Sequence, residues 1–565
     1  MQIVRRPVPA AASALIAAGV TPVLARIYAA RSVLAVAELD VDLALLPSWR
    51  SFKGIEPAAQ RLADSIERGE RVLIIADYDA DGATACAVGM RGLVAMGAKV
   101  DYLVPNRFEF GYGLTPEIVA LAATRSPHLI VTVDNGMGSV DGVAAAHARG
   151  IDVLITDHHL PGPLLPSPAL IVNPNQEGCG FPCKHVAGVG VMFYVLTAVR
   201  ALLRERKRFA DGAGPNLAAL LDLVALGTVA DVVKLDQTNR ILVAQGLRRI
   251  RAGRACAGIQ ALFEVARCDA AQATTYDLGF IVAPRLNAAG RLADMSVGIA
   301  CLIAEDKSLA LRCATELDRL NQERREVEAK MQGEALASIA DATIADGYTL
   351  CLYRAEWHPG VVGIIASRLK DRFHRPALVF ARSENGELRG SGRGIPGFHL
   401  RDAIDLVAKR TSGAILRFGG HAHAAGLSVV EDALPRVAAE FERVAREWLP
   451  PSALSRALET DGELGPDELT LGLADRLREQ VWGQGFPAPL FDGEFVVSDQ
   501  RMVGGEHVRA VLTRSGRRVD AIAFRTGGPL PATLRAVYRP DRNIYQGLSS
   551  LQLILEHWQP ELIAS

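Results

Sequence analysis

Val72-Leu-Ile-Ile-Ala76, running directly into Asp77-Tyr-Asp-Ala-Asp-Gly82, is the stretch on which the fold turns. An apolar run that stops at polar residues is the pattern of a buried strand in a parallel sheet. At a side-chain period of two, Asp77, Asp79 and Asp81 start on one face, and three clustered anions are tolerated only if a cation or a proton intervenes. Hard oxygen donors suit Mg2+ or Mn2+. The plainer alternative is a solvated acidic turn bent at Gly82. A calcium loop is excluded, because the position of its Glu, six residues after the glycine, is Val88.

The same pattern recurs outward from this stretch. Leu129-Ile-Val-Thr-Val133 runs into Asp134-Asn-Gly, and Val153-Leu-Ile-Thr156 into Asp157, His158 and His159. With Ala-rich helical stretches between them, residues 70–235 read as an open parallel α/β sheet that delivers ionisable side chains at its C-terminal strand ends, where such sheets place their sites. A fourth segment, Leu220 to Asp231, is apolar except at its acidic positions, where an unpartnered charge is costly. Asp231 adds a further carboxylate. Clustered carboxylates with one or two imidazoles are the inventory of a two-metal hydrolytic site, and a carboxylate such as Asp134 can bridge two ions.

Size and composition bound the rest. A chain of 565 residues exceeds a single core and predicts about three or four domains. Hydrophobic content of 49% with 22% charged residues describes a soluble globular protein, and no apolar run approaches the roughly 20 residues of a membrane span. No signal peptide is expected, and eight scattered cysteines suit a reducing cytoplasm. Cys179 and Cys183 with His185 lack the second pair a zinc clip needs. A net charge of −1 does not announce a nucleic-acid binder, and basic clusters at residues 204–208 and 248–254 read first as solvated helix faces.

From Asp306 to Ala345 the chain reads as one charged helix with Leu317, Leu320 and Val327 as its apolar stripe, a spacer between domains. A second α/β region follows to about residue 448, and Pro450-Pro451 marks the next boundary. Short alternating strands after Gly493 suggest a small β-barrel. The expected segments are 1–50, a catalytic α/β domain over 51–305, a connecting helix over 306–345, a smaller α/β domain over 346–450 and a barrel domain over 451–565.

Asp77-Tyr-Asp-Ala-Asp-Gly82, Val133-Asp-Asn-Gly136, Asp157-His-His159 and Gly227-Thr-Val-Ala-Asp231 resemble, in order, the four catalytic motifs of the DHH phosphoesterases. Pro284 to Leu292, Trp357 to Leu369, Gly390-Ser-Gly-Arg393, Gly419 to Gly426 and Gly483 to Gly493 are similar to the RecJ branch, with its DHHA1 and OB-type domains. The resemblance implies a single-stranded-DNA-specific 5′→3′ exonuclease acting in DNA repair and recombination, with two Mn2+ or Mg2+ ions. It implies that Asp79 and Asp81 bind different ions, that Asp134 bridges, and that His158 and Asp231 complete one shell. Asp77 stands where relatives carry an additional ligand. His159 is expected on the phosphate or leaving group, and Asp157 is either a ligand or an orienting group.

The resemblance further places Arg107, Ser391 and Arg393 in a terminal-phosphate pocket, where planar Arg forks suit phosphate. Arg285, Asn287 and Arg291 are expected to line the groove between the α/β domains, and His421 to donate to a phosphate beside Gly419 and Gly420. A structural ion pair is the alternative for each arginine. Selection for single strands is expected from a narrow channel. Of the barrel aromatics Phe495, Phe524, Tyr538 and Tyr545, most are expected in the core and any others as stacking platforms. Expected partners are single-stranded DNA and a helicase, single-strand-binding protein or recombination mediator, with the chain a cytoplasmic monomer. Two alternatives stand beside this one: a DHH phosphodiesterase acting on short RNA or cyclic dinucleotides, and an inactive DNA-binding relative. The tail after residue 450 and the filled motifs argue against them.

Overall fold

Val72–Ala76 forms the buried core of a central strand. The computed structural model describes residues 1–105, 113–210, 212–339, 346–383 and 386–561. The strands β1 (Arg71–Ala76), β2 (Lys99–Leu103), β3 (Leu129–Val133), β4 (Asp152–Thr156) and β5 (Leu170–Val172) form one sheet in the order β2-β1-β3-β4-β5, every pairing parallel. This is a doubly wound order, and its direction of winding reverses between β1 and β3. Helices α1 (Ala80–Ala95), α2 (Pro116–Ala123) and α3 (Val140–His147) provide its first crossovers.

Alternation along β1 serves both faces. Leu73 and Ile75 pack with Ile118, Val119, Val143 and Ala146 of α2 and α3. Ile74 points the other way, toward Gly89 of α1 and, beyond it, Met192 of α4 (Gly188–Glu205). The Leu220–Asp231 segment is helical, as α5 (Leu221–Ala230), with Asp231 at its C-cap. A π-helical turn, Asp277–Val282, leads into α6 (Ala283–Leu292).

The long helix α7 covers Lys307–Ser338, so the expected span to 345 extends past the described residues. Its residues up to Asp318 group with the parallel-sheet unit, which also takes in the residues from Glu459 onward, and those from Arg319 group with the unit ending at Leu458. Leu317 and Leu320 are buried, as the apolar stripe predicts. So is Glu328, which accepts from Arg324 at 2.6 Å and from Arg368 at 2.9 Å.

That second unit holds a sheet of β6 (Leu350–Tyr353), β7 (Ala377–Arg382), β8 (Leu388–Arg393), β9 (Ile415–Gly420) and β10 (Ala424–Val429), ordered β9-β10-β8-β7-β6. Only β6 and β7 are parallel. Helix α8 (Val362–Phe373) buries Val362, Ile365, Ala366 and Leu369 with Val379 of the sheet.

The C-terminal strands β11 (Phe491–Val503), β12 (His507–Arg514), β13 (Arg517–Ala523), β14 (Thr533–Tyr545) and β15 (Leu548–Pro560) close into a five-stranded OB-type barrel, ordered β11-β12-β13-β15-β14. Phe495 and Tyr538 fill its interior, whereas Phe524 and Tyr545 are 51% and 65% exposed. Among the described residues no helix is long and apolar enough to cross a membrane.

A candidate metal centre at the switch point of the parallel sheet

The acidic motif gathers its carboxylates differently from the strand alternation expected of it. The strand stops at Ala76 and the helix begins at Ala80, so Asp77 ends β1, Asp79 is the N-cap of α1, and Asp81 sits in the helix's first turn. Asp79 accepts from the Gly82 N–H at 3.0 Å. Gly82 is not the bend of a turn either. It lies within the helix, where a Cβ would stand 2.7 Å from the Cβ of Asp77.

Asp81 is buried against the start of α4, accepting from the N–H groups of Gly188 at 2.6 Å and Val189 at 3.0 Å. A helix N-terminus is a favourable place for a carboxylate, because its first N–H groups lack intrahelical partners. Asp134 leaves β3 with φ of 62°, a left-handed conformation uncommon outside glycine, which turns its side chain into the crevice. His158 Nε2 lies 3.1 Å from Asp134, 3.4 Å from Asp231 and 4.0 Å from Asp81.

These donors sort into overlapping sets. Asp77, Asp79 and Asp134 bring ligand atoms within 4.8 Å of one another, as do Asp81, His158 and Asp231, and also Asp134, His158 and His159. Asp157 belongs to none of them. Its Oδ1 accepts from the N–H of His158 at 2.7 Å, the N–H of His159 at 3.1 Å and the His159 ring at 2.8 Å, and its Oδ2 from the Met137 N–H at 2.9 Å. The carboxylate is fully occupied in shaping the loop.

Electrostatics separate the groups further. Burial, together with the neighbouring carboxylates, holds Asp134 and Asp231 well above the usual carboxylate range and Asp81 at about 7. Burial also opposes charge on Asp157 and His159, but their hydrogen bond and mutual attraction win: Asp157 is lowered and His159 is raised to about 9. Two buried carboxylates and a half-buried third that resist ionisation together, with an imidazole among them, are a donor set that fits divalent cations.

Sequence reasoning missed the side chains that hold the histidine loop. Asn175 Nδ2 donates to the His158 carbonyl at 2.6 Å and Asn173 Nδ2 to that of His159 at 2.9 Å. The signal was present: Asn173-Pro-Asn175 follows the apolar Leu170-Ile-Val172, one more strand end in register with the others.

The residues expected to bind substrate fall into distinct settings. Arg285 is buried, forking onto Asp318 with Nε at 2.9 Å and a second nitrogen at 2.8 Å, and donating to the Ile281 carbonyl at 2.5 Å. Asn287 Oδ1 accepts from the Ala80 N–H at 2.9 Å, so it braces the acidic loop itself. Arg291 is half-buried on the same helix. In the second unit, Arg393 donates to Ser391 Oγ at 3.0 Å and to the Gly392 carbonyl at 2.8 Å. Its far nitrogen is 3.2 Å from where a Cβ on Gly363 would stand, in the first turn of α8. His421 is exposed at the β9–β10 turn. Arg107 lies outside the described residues.

A parallel sheet with clustered carboxylates at its switch point, followed by a second α/β unit and an OB-type barrel, defines a DHH-type phosphoesterase. The family profiles agree: the DHH family N-terminal domain matches residues 71–228, the DHHA1 domain residues 346–447 and the RecJ OB domain residues 460–557. The chain is 50% identical over 553 residues to the single-stranded-DNA-specific exonuclease RecJ of Dickeya dadantii, covering 95% of this chain and 96% of that protein. Its fold matches the crystal structure of Thermus thermophilus RecJ in complex with Mn2+ at a TM-score of 0.83 and 30% identity, over 99% of this chain and 80% of that one. The Mg2+ complex from the same organism matches at a TM-score of 0.76 and 28% identity, over 99% and 78%. This chain belongs to the RecJ family.

Proposed function

We propose that this chain is a metal-dependent, single-stranded-DNA-specific 5′→3′ exonuclease that hydrolyses phosphodiester bonds and releases 5′-mononucleotides. The observation that carries this is the division of one partly buried cluster into two ligand sets, Asp77-Asp79-Asp134 and Asp81-His158-Asp231, with Asp134 beside His158 where they meet. Two Mn2+ or Mg2+ ions held there would supply an activated water and neutralise phosphate charge. The chain's own groups do the rest. Asp81 is locked by the α4 N-terminus and Asp79 by its cap, so their carboxylates are oriented before substrate arrives. Asp157 holds His159 Nδ1 and so positions the ring to meet the phosphate or the leaving oxygen.

In the second unit, the setting of Arg393 supports a phosphate-binding role. Burial lowers its pKa, and no acidic group among the described residues opposes that shift. A half-buried guanidinium with a hydroxyl and a helix N-terminus at hand suits a terminal phosphate. Arg285 and Asn287, each committed to a neighbour, act as positioning residues. Every ligand position of the cluster is filled, which disfavours an inactive relative, and the full-length match disfavours a short-RNA or cyclic-dinucleotide enzyme. The same proposal takes the chain as a cytoplasmic monomer supplied with single strands by a helicase, single-strand-binding protein or recombination mediator.

Asp79→Ala and Asp134→Ala should each abolish Mn2+-dependent release of nucleotides from single-stranded DNA, with duplex DNA resistant in the wild type. Retained turnover in either variant refutes the two-ion assignment. A strand labelled at its 5′ end should lose label first; earlier loss from the 3′ end refutes the polarity.

A further inference from the structure

Beside Asp231 the chain leaves apolar side chains in solvent. Val232 is 63% exposed and sits at φ of 58°, a left-handed conformation that a β-branched residue adopts only at a cost. Tyr276 and Phe280 are 59% and 67% exposed, and their rings stack on each other at 5.0 Å with 24° between planes. They flank the start of the π-helical turn Asp277–Val282, a rare geometry that concentrates at functional sites.

The turn that carries this pair packs on the helix that delivers Asp231. A Cβ on Gly279 would lie 3.2 Å from Val229 Cγ1 and 4.0 Å from the Val229 carbonyl oxygen, two residues before the carboxylate. The turn continues into α6, whose Asn287 holds the Ala80 N–H of the acidic loop. One continuous stretch of chain therefore ties the exposed rings to both sides of the metal centre. Stacked aromatic rings left in water are a binding surface rather than core packing. Continuity with the metal centre says what covers them: when a phosphodiester lies at the carboxylates, the nearest flat apolar groups are the bases of the same strand. Aromatic stacking also accepts any base, because each has a π-face.

We propose that Tyr276 and Phe280 form a stacking platform for a nucleobase of the single strand close to the scissile phosphodiester. The proposal rests on the exonuclease reading above.

The test uses the full chain with Ca2+ in place of Mn2+, so that binding is read on uncut oligonucleotides carrying 2-aminopurine at successive positions from the 5′ end. Wild type should quench the fluorescence at one position. Tyr276→Ala/Phe280→Ala should lose that quenching and bind about tenfold or more weakly, the size expected for one stacked base. Phe280→Trp should retain both. An abasic residue at that position should bring wild type down to the double variant's affinity and cost the variant nothing further. Equal quenching in both proteins overturns the proposal. So does a variant that is weakened equally on abasic strands, or whose unfolding temperature has dropped, since either marks a structural role or a surface for another partner. If wild type neither binds nor digests single-stranded DNA, the exonuclease reading fails first, and the platform with it.

Discussion

Asp77, Asp79, Asp81, Asp134, Asp157 and Asp231 are chemically one residue type put to different uses by their surroundings. Asp81 and Asp134 are buried among like charges and resist ionisation, whereas Asp157 is buried among donors and ionises readily. The sequence placed five of them at strand ends and offered Asp231 as a further carboxylate, but which carboxylate orients and which binds depends on the donors within about 3 Å. Asp157→Asn tests that distinction. An amide replaces one acceptor oxygen with a donor that clashes with the N–H groups of Met137, His158 or His159. Turnover should fall about 10–100-fold, as for lost support of a metal site. Mn2+ binding, followed by calorimetry, should persist; its abolition would make Asp157 a ligand.

At the scale of elements, the buried parallel strands were legible because a continuous apolar run of five or so residues ending in charge fits little besides a strand covered on both faces. The barrel was legible only in part. Strands β11 to β13 show the alternation, but β14 and β15 turn at Gln546-Gly547 with φ of 51° and 80°. A left-handed Gln is a weaker hairpin signal than Asn-Gly, so the pair passed unnoticed. Helix α6 shows what close packing demands of a sequence: a Cβ on Gly290 would stand 1.8 Å from the Tyr78 carbonyl oxygen in the acidic loop. Backbone cannot yield as a side chain does. Gly290→Ala should therefore cost about 1–3 kcal/mol in urea unfolding and depress turnover by shifting Asp77 and Asp79. Unchanged stability and unchanged rate together would show that the loop is not held there.

For the whole molecule, the metal centre is a cluster of charges that destabilises the fold until a cation binds. In the metal-free chain, raising the pH through about 7 ionises Asp81 against its neighbours, and because its folded pKa is raised, stability falls as the proton leaves. Mn2+ should reverse this. At about 100 times its dissociation constant it should add roughly 2.7 kcal/mol, a rise of about 2–3 °C in unfolding temperature. The rise should be larger at pH 8 than at pH 6, because at the lower pH a proton must first be displaced, and Asp134→Ala should remove most of it. A thermal shift independent of pH and of Asp134 would place the bound ion elsewhere.

Sequence alone determined the strand ends, the order of the catalytic motifs and the succession of domains, because buried strands, charge at their ends and turn residues are properties of neighbours along the chain. Tertiary structure decided what each polar group touches. It assigned Asp157 to four donors, Arg285 to Asp318 and Asn287 to the acidic loop, and it packed the turn that carries Tyr276 and Phe280 against the helix that ends at Asp231. Apart from the adjacent His158 and His159, those partners lie tens to hundreds of residues away or around a helical turn of unusual pitch, and no local pattern encodes such distances.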